Sequence, residues 1–203
     1  MSRFARTLVM AAAALAGTAS ADTLTFNGTA DDFLKIFVST DLSNPGAVVF
    51  DKTSGWGSVG TATINLEPGQ SVYLLIDANN ANGGPAMLLA NLSLSGETLR
   101  FANGLTTLTT DTTHWQVSET SFAGTLSAPV SMGQNLPGLQ IWGAFAPVSS
   151  DATSIWAYNA DWSNGRVGHA YFVTQISAVP EPTTAWLWLG GAAMLTALRR
   201  RTR

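Results

Sequence analysis

The sequence that decides the fold is Phe33-Leu34-Lys35-Ile36-Phe37-Val38, in which Leu34, Ile36 and Val38 occupy every second position. Successive side chains of a β-strand point to opposite faces, so this alternation predicts a strand with one apolar face. Residues 62–66, Ala-Thr-Ile-Asn-Leu, alternate in the same way. Apolar runs of strand length recur further along the chain, at residues 71–76, 86–94, 139–142, 154–158 and 169–176.

Turn-forming residues separate these runs. Gly, Pro and Asn cluster at residues 44–46, 67–69, 82–85, 137–138 and 164–165, and these residue types favour the backbone conformations of tight turns. Short strands with frequent turns and no convincing helix predict an all-β sandwich. Its expected limits are residues 22–178, a length that suits a single domain with one core.

The N-terminus has the three parts of a secretory signal peptide. Arg3 and Arg6 form a basic head, residues 8–16 are apolar and uncharged, and Ala19 and Ala21 put small residues before a cleavage site. The apolar stretch is too short for a membrane-spanning helix, which needs about 20 residues. We therefore expect export by the general secretion machinery and cleavage by signal peptidase after Ala21, so that residues 1–21 are not part of the fold.

The C-terminal region, residues 179–203, carries a second membrane signal. Pro180-Glu181-Pro182 precedes an uncharged stretch, residues 185–198, and the chain ends in an arginine cluster, residues 199–203. A bilayer core needs about 17–25 apolar residues, and this stretch makes a short transmembrane helix once the preceding threonines are counted. Basic residues stay on the cytoplasmic side, so the chain before Pro180 is expected outside. A simple C-terminal anchor is the alternative.

Pro180-Glu181-Pro182, the short apolar stretch and the arginine cluster together resemble the PEP-CTERM sorting region of Gram-negative bacteria. The resemblance implies that an exosortase, an integral membrane enzyme, recognises Pro180, Glu181 and Pro182 and processes the tail nearby. It also implies export across the inner membrane, a transient membrane-anchored stage, and then a place at the cell surface or in the extracellular matrix. That family is tied to exopolysaccharide in biofilm or floc matrix.

The body resembles a second family through the order of its landmarks. Trp56, then residues 66–69, residues 82–90 and residues 114–118 follow one another as in galactose-binding-domain-like jelly rolls. The first hairpin departs from that family's usual Val-Asn-Gly, because residues 38–40 read Val-Ser-Thr. The resemblance implies a jelly-roll β-sandwich of a kind often attached to carbohydrate-active and cell-surface proteins.

Composition narrows the range of partners. The chain has no cysteine, so the domain does without disulfides although an oxidising compartment would allow them. Residues 22–178 carry twelve acidic and four basic side chains, a net charge of −8 with histidine neutral. An acidic body disfavours binding to nucleic acid or to other polyanions through charge. Neutral sugars and contacts mediated by cations remain open.

No motif indicates a catalytic site. Residues 55–60, Gly-Trp-Gly-Ser-Val-Gly, match a dinucleotide-binding pattern that must begin a helix, whereas residues 61–66 alternate as a strand and favour a glycine-rich hairpin. The two histidines, His114 and His169, lack a metal-site spacing or a cysteine. We expect a non-enzymatic protein, and a histidine dyad or an Asp/Glu pair of a secreted hydrolase remains the catalytic alternative.

Tryptophans are the best ligand-binding candidates, because sugars stack on exposed indoles. Trp142 and Trp156 lie in strand-like runs and are predicted in the core, whereas Trp56 and Trp162 lie among Gly, Ser and Asn and are predicted at the surface. Polar partners for a ligand are predicted from the asparagines of the following turn, Asn80 and Asn82.

Calcium is the one metal that the sequence allows, and no other cofactor is expected. Asp31 and Asp32, or Asp77 with Asn79 and the asparagines after it, could supply the oxygen ligands that Ca²⁺ prefers. The stretch 77–81 does not match a calcium-binding loop, and such Asp/Asn clusters are also common in ordinary turns.

These observations favour an exported, sorted surface protein that binds or associates with extracellular polysaccharide. A structural or adhesive matrix protein that binds other proteins without a sugar site is the alternative, and a secreted hydrolase is the third. Fold alone does not decide among them.

Overall fold

The computed structural model describes residues 22–180. This part of the chain forms twelve β-strands: β1 Asp22–Ala30, β2 Phe33–Ser39, β3 Phe50–Lys52, β4 Gly60–Leu66, β5 Val72–Asn80, β6 Leu88–Ser95, β7 Leu99–Phe101, β8 Thr107–Thr109, β9 Gln116–Ser118, β10 Val130–Gln134, β11 Thr153–Trp156 and β12 Gly168–Ala178. All pairings between them are antiparallel. The predicted all-β class is confirmed.

The strands form two sheets that pack as a sandwich. Sheet A has the order β10-β11-β6-β1-β4, and β8 also pairs with β6. Sheet B has the order β3-β2-β5-β12-β7, and β9 also pairs with β12. The longest ladder of sheet B joins β5 to β12, from Val72 opposite Ile176 to Asn80 opposite Gly168. Consecutive strands β1 and β2 lie in different sheets, so the chain crosses the sandwich between them.

The core lies between the sheets and follows the alternation read from the sequence. On β2, Leu34 and Ile36 are buried, and Val38 packs against the same cluster. Sheet A contributes Phe26, and β12 contributes Phe172, which contacts Trp156 with ring centroids 5.8 Å apart. Within the described residues, this core joins the two sheets. A segment with its own core is expected to fold without the termini.

Two local predictions are wrong. Residues 139–142 form turns, because the side chain of Gln140 is buried and donates to Asn135 Oδ1 at 3.1 Å, which leaves Leu139 and Ile141 exposed. The glycine-rich loop of residues 53–59 is not a hairpin, because β3 before it belongs to sheet B and β4 after it to sheet A. It is a connection between the two sheets. The strand β4 begins where a dinucleotide-binding fingerprint would need a helix.

The expected signal peptide, residues 1–21, lies outside the described residues, and so does the tail from Glu181 onward. From Asp22 to Pro180, no helix is long and apolar enough to cross a membrane. The first described strand begins at Asp22 and the last ends at Ala178.

Candidate functional site

A cleft opens at the end of the sandwich where the chain crosses from β1 to β2. Its volume is about 240 Å³. Residues from five separate parts of the chain line it: Asp31, Asp32, Trp56, Asn82, Gly83, Pro85, Ile141, Trp142 and Trp162. Three indoles and two carboxyl groups therefore share one concave surface, which we call the tryptophan cleft. Concave sites with aromatic walls and a few polar groups are typical of ligand-binding sites.

The two aspartates form the short link between β1 and β2, and the peptide bond between them is cis. The backbone N–H of Asp31 donates to the carbonyl of Met87 at 3.0 Å, which fixes the link to the loop before β6. Asp31 Oδ2 accepts a hydrogen bond from Trp142 Nε1 at 2.9 Å. Asp32 Oδ2 accepts from the Ala81 N–H at 2.9 Å and from Asn82 Nδ2 at 2.8 Å. Each carboxyl group is therefore anchored through one of its oxygens.

The electrostatics of the tryptophan cleft centre on Asp31. Burial raises the pKa of its carboxyl group to about 6, against the lowering effect of the Trp142 hydrogen bond. The hydrogen bond and the charge of Asp32 raise this pKa further, and the charge of Lys52 lowers it. Around pH 6, Asp31 thus exchanges between a carboxylic acid that can donate a hydrogen bond and a carboxylate that can only accept one.

Lys52 is the cation behind this carboxyl pair. Its side chain is buried, with 3% of the residue exposed, and its ammonium group donates to the carbonyl of Gly55. Burial lowers the pKa of Lys52, while the charges of Asp32 and Asp31 raise it. Lys52 therefore fixes the loop that carries Trp56 and lies close enough to the aspartates to feel their charge.

The outer walls of the tryptophan cleft are Trp56 and Trp162. Trp56 is 42% exposed, and its backbone carbonyl accepts a hydrogen bond from the Thr29 hydroxyl at 2.8 Å. Trp162 is 83% exposed, and its ring lies over Gly84, where an added Cβ would come within 3.3 Å of the indole. The backbone of Gly84 also donates to the Gly165 carbonyl at 3.1 Å. Both tryptophans therefore lie at the surface, as predicted.

Asn80 does not reach the tryptophan cleft. It is fully buried, its Oδ1 accepts from the Gly83 N–H at 2.8 Å, and its Nδ2 donates to the Gly84 carbonyl at 3.2 Å. Its side chain satisfies the backbone of a turn whose two glycines have positive φ, a conformation that glycine adopts without strain. Asn80 therefore shapes the loop, whereas Asn82 lines the cleft.

The calcium candidates do not come together. Asp77 and Asn79 point to the outer face of sheet B, opposite the buried Ala78, and Asp77 Oδ1 bonds to His169 Nδ1 at 2.6 Å. Within residues 22–180, no group of three or more His, Cys, Asp or Glu side chains is arranged to hold a metal ion. Ca²⁺ takes six to eight oxygen ligands, and the aspartate pair with Asn82 does not supply such a set.

The histidines lie outside the tryptophan cleft. His169 pairs with Asp77, and His114 Nδ1 lies 2.9 Å from Asp111 Oδ2. In the described part of the chain, no hydrogen bond links either imidazole to a serine hydroxyl. The carboxyl groups of the cleft have other partners: Asp31 is held by Trp142, and Asp32 is held by Asn82.

Sequence reasoning missed two residues of the site. Trp142 was predicted in the core, and it does pack against a small cluster that includes Met87 and Leu89, but it also lines the tryptophan cleft and donates to Asp31. Lys52 was counted only as one of four body cations. A lysine before Gly- and Ser-rich residues carries no signal of burial, and its role depends on contacts made across the fold.

We compared the chain with protein-family models, with curated proteins and with solved structures, and none of them matches it.

Proposed function

We propose that this protein binds a neutral polysaccharide in the tryptophan cleft. One observation carries the proposal: Trp56, Trp142 and Trp162 converge on the same cavity as Asp31, Asp32 and Asn82. A sugar ring presents apolar C–H faces that stack on indoles and hydroxyl groups around its rim. Carboxylate oxygens accept hydrogen bonds from those hydroxyls, and the Asn82 amide can both donate and accept.

The exposure of the two outer indoles supports this assignment. Exposed tryptophan contributes little to folding, because burial of its apolar area is what stabilises a protein. Trp162 and Trp56 nonetheless stand in the loops that frame one cavity. Aromatic residues presented in this way are typical of binding surfaces.

The sorting signals give this binding activity a location. We propose that the chain is a PEP-CTERM protein, exported by the general secretion machinery, trimmed by signal peptidase and handed to an exosortase that reads residues 180–182. The two-sheet sandwich is compatible with the galactose-binding-domain-like jelly roll that the sequence resembles. A polysaccharide-binding domain at the cell surface or in the matrix would then hold exopolysaccharide in place. Nucleic acid is not an expected partner, because the body is acidic.

The test replaces each outer tryptophan separately with alanine, in a protein of residues 22–180. Trp162→Ala and Trp56→Ala should weaken binding to a neutral bacterial exopolysaccharide by several-fold to about tenfold, since an aromatic contact contributes about 0.5–1.5 kcal/mol. Trp162→Ala should keep the melting temperature nearly unchanged, because the side chain is 83% exposed, whereas Trp56→Ala should lower it modestly, because Trp56 is 42% exposed. Calorimetric titration gives the affinity, and thermal unfolding gives the stability.

Two further variants serve as controls. Leu105→Ala removes an exposed apolar side chain away from the tryptophan cleft and should change neither quantity. Trp115→Ala removes a buried indole and should cost about 3–5 kcal/mol of stability. Unaltered polysaccharide binding in folded Trp162→Ala and Trp56→Ala variants would overturn the proposal. Self-association with no measurable polysaccharide binding would favour the adhesive alternative.

A further inference from the structure

Strand β4 forms one edge of sheet A and leaves its outer side unpaired within residues 22–180. It pairs with β1 along its whole length, from Gly60 opposite Gly28 to Leu66 opposite Asp22. No second strand pairs with it, and none of its backbone groups bonds to a loop of the described chain. The outward N–H and C=O groups therefore form a ready template for another strand.

The other edges of the described sandwich carry features that prevent such pairing. The opposite side of sheet A ends in β10, whose register shifts at Gly133, and in β8, which has three residues. The edges of sheet B consist of strands of three residues each, namely β3, β7 and β9, and β3 includes Asp51 and Lys52. Short strands, bulges and charges are the usual protection against edge-to-edge association.

Strand β4 has none of these protections. Its seven residues, Gly-Thr-Ala-Thr-Ile-Asn-Leu, include no charge and no proline, and its register with β1 is regular. Ile64 and Leu66 point into the core, while Thr61, Thr63 and Asn65 are exposed. Threonine favours strands, and Thr–Thr pairs across neighbouring strands are stabilising.

We propose that β4 is a self-association edge, which pairs antiparallel with β4 of a second copy of this chain. In the register centred on Thr63, a twofold axis sets Thr63 opposite Thr63 of the partner and Thr61 opposite the partner's Asn65. This contact uses the same surface on both copies, so it closes after two chains and yields a dimer instead of a fibre. The absence of charge on the strand explains why a second copy fits: none of the residues brought together repel one another.

The dimer should strengthen with salt. Each body carries a net charge of −8, so two copies repel at long range, and added salt screens that repulsion beyond about 10 Å at 0.1 M. An association driven by ion pairs across the interface would instead weaken as salt is added.

The test introduces a charge at the centre of the edge and measures mass by sedimentation equilibrium. In residues 22–180, Thr63→Lys and Thr63→Glu each set like charges opposite one another and should leave monomers at concentrations where the wild type is dimeric. An equal mixture of the two variants should restore the dimer, because the opposed charges then attract. Thr107→Lys, an exposed threonine on β8 of the same sheet, should remain dimeric.

Each possible result decides the proposal. Loss of the dimer in both Thr63 variants, with recovery in the mixture and retention in Thr107→Lys, would support it. A monomeric wild type at high salt, or a dimer that is indifferent to charge at position 63, would overturn it. Thermal unfolding of each variant establishes that the sandwich is intact, since Thr63 points away from the core.

Discussion

At the scale of single residues, ionisation of Asp31 has opposite effects on stability and on binding: it lowers the stability of the fold and supplies a charged hydrogen-bond acceptor for a ligand. Its carboxyl group is partly buried beside Asp32, and its pKa is raised to about 6. A raised carboxyl pKa means that the folded protein holds this proton more tightly than the unfolded chain does. The contribution of Asp31 to stability is therefore fully present below about pH 4 and is lost as the pH rises through about 6.

Asp31→Asn should consequently raise the melting temperature at pH 8 relative to the wild type, and the gain should vanish at pH 4. The amide cannot ionise, and its oxygen can still accept the hydrogen bond from Trp142 Nε1. Thermal unfolding of both proteins across this pH range measures the effect.

Asp151→Asn provides the control for charge alone, because Asp151 is exposed and does not line the tryptophan cleft. It should produce no such pH-dependent gain. If Asp31→Asn were equally stabilising at pH 4 and pH 8, ionisation of Asp31 would not be the cause. The same variant should bind polysaccharide more weakly at pH 8, because it loses an ionised acceptor.

Some features of single residues follow from the sequence, and others depend on the fold. The exposure of Trp56 and Trp162 could be predicted, because small and polar neighbours leave an indole nothing local to pack against. The convergence of Trp142 on Asp31 could not, since the two residues lie 111 positions apart and only the folded sandwich brings them together. The structure places Asn80 outside the cleft for a local reason, because its side chain bonds to the backbone of Gly83 and Gly84 in the turn that follows it.

At the scale of elements, two adjoining loops form one wall of the tryptophan cleft. The turn after β5 and the loop before β12 are joined through Gly84 and Gly165, and Trp162 rests against Gly84. A Cβ on Gly165 would lie only 1.6 Å from the Gly84 carbonyl oxygen. The close contact between the two backbones thus requires glycine at position 165.

Gly165→Ala should separate these loops and displace Trp162. We expect weaker polysaccharide binding, comparable to that of Trp162→Ala, with a smaller loss of stability than a core substitution causes, because the contact lies at the end of the sandwich. Gly57→Ala is a matched control in the loop of Trp56, where an added Cβ meets no atom within 4 Å. Equal binding by both variants would show that the Gly84–Gly165 contact does not position the indole.

Elements with strong alternation were predictable, and those without it were not. The runs at residues 33–38 and 62–66 lie within β2 and β4, because one face of each strand is buried and the pattern records it. Strands β7, β8 and β9 have three residues each, too few for a period to emerge. The apolar run at 139–142 predicted a strand that does not form. Its polar residue, Gln140, is buried and hydrogen-bonded, and the apolar residues on either side of it are exposed.

At the scale of the whole molecule, the tryptophan cleft and the two ends of the described chain lie at opposite ends of the sandwich. Strand β1 begins at Asp22 and ends beside Asp31, and β12 runs from the end near Asn80 to Ala178. Thr98 contacts both ends of the described chain. Its hydroxyl donates to Asp22 Oδ2, and its carbonyl accepts from the Val179 N–H. The cleft therefore lies at the end of the sandwich away from Asp22 and Val179.

The proposed dimer sets the directions of the two clefts. Antiparallel pairing of β4 with its copy points them in opposite directions, because the cleft lies at the Gly60 end of the strand. A dimer with outward clefts at both ends would cross-link polysaccharide strands, a property that depends on both the cleft and the edge.

The tail prediction tests whether the C-terminal segment, and not the body, holds the protein before release. Leu189 lies within the uncharged stretch 185–198, and an arginine in the middle of a spanning helix costs about 2.5–3.5 kcal/mol on insertion scales. Leu189→Arg should therefore release the body into the medium or block sorting, while Leu105→Arg in the body should leave retention unchanged. Fractionation of the producing cells measures retention, and intact mass identifies the released species. Intact mass also tests processing, because wild-type surface material should lack residues 1–21 and the arginine cluster at 199–203. Undiminished membrane retention of Leu189→Arg would mean that contacts of the sandwich itself hold the protein.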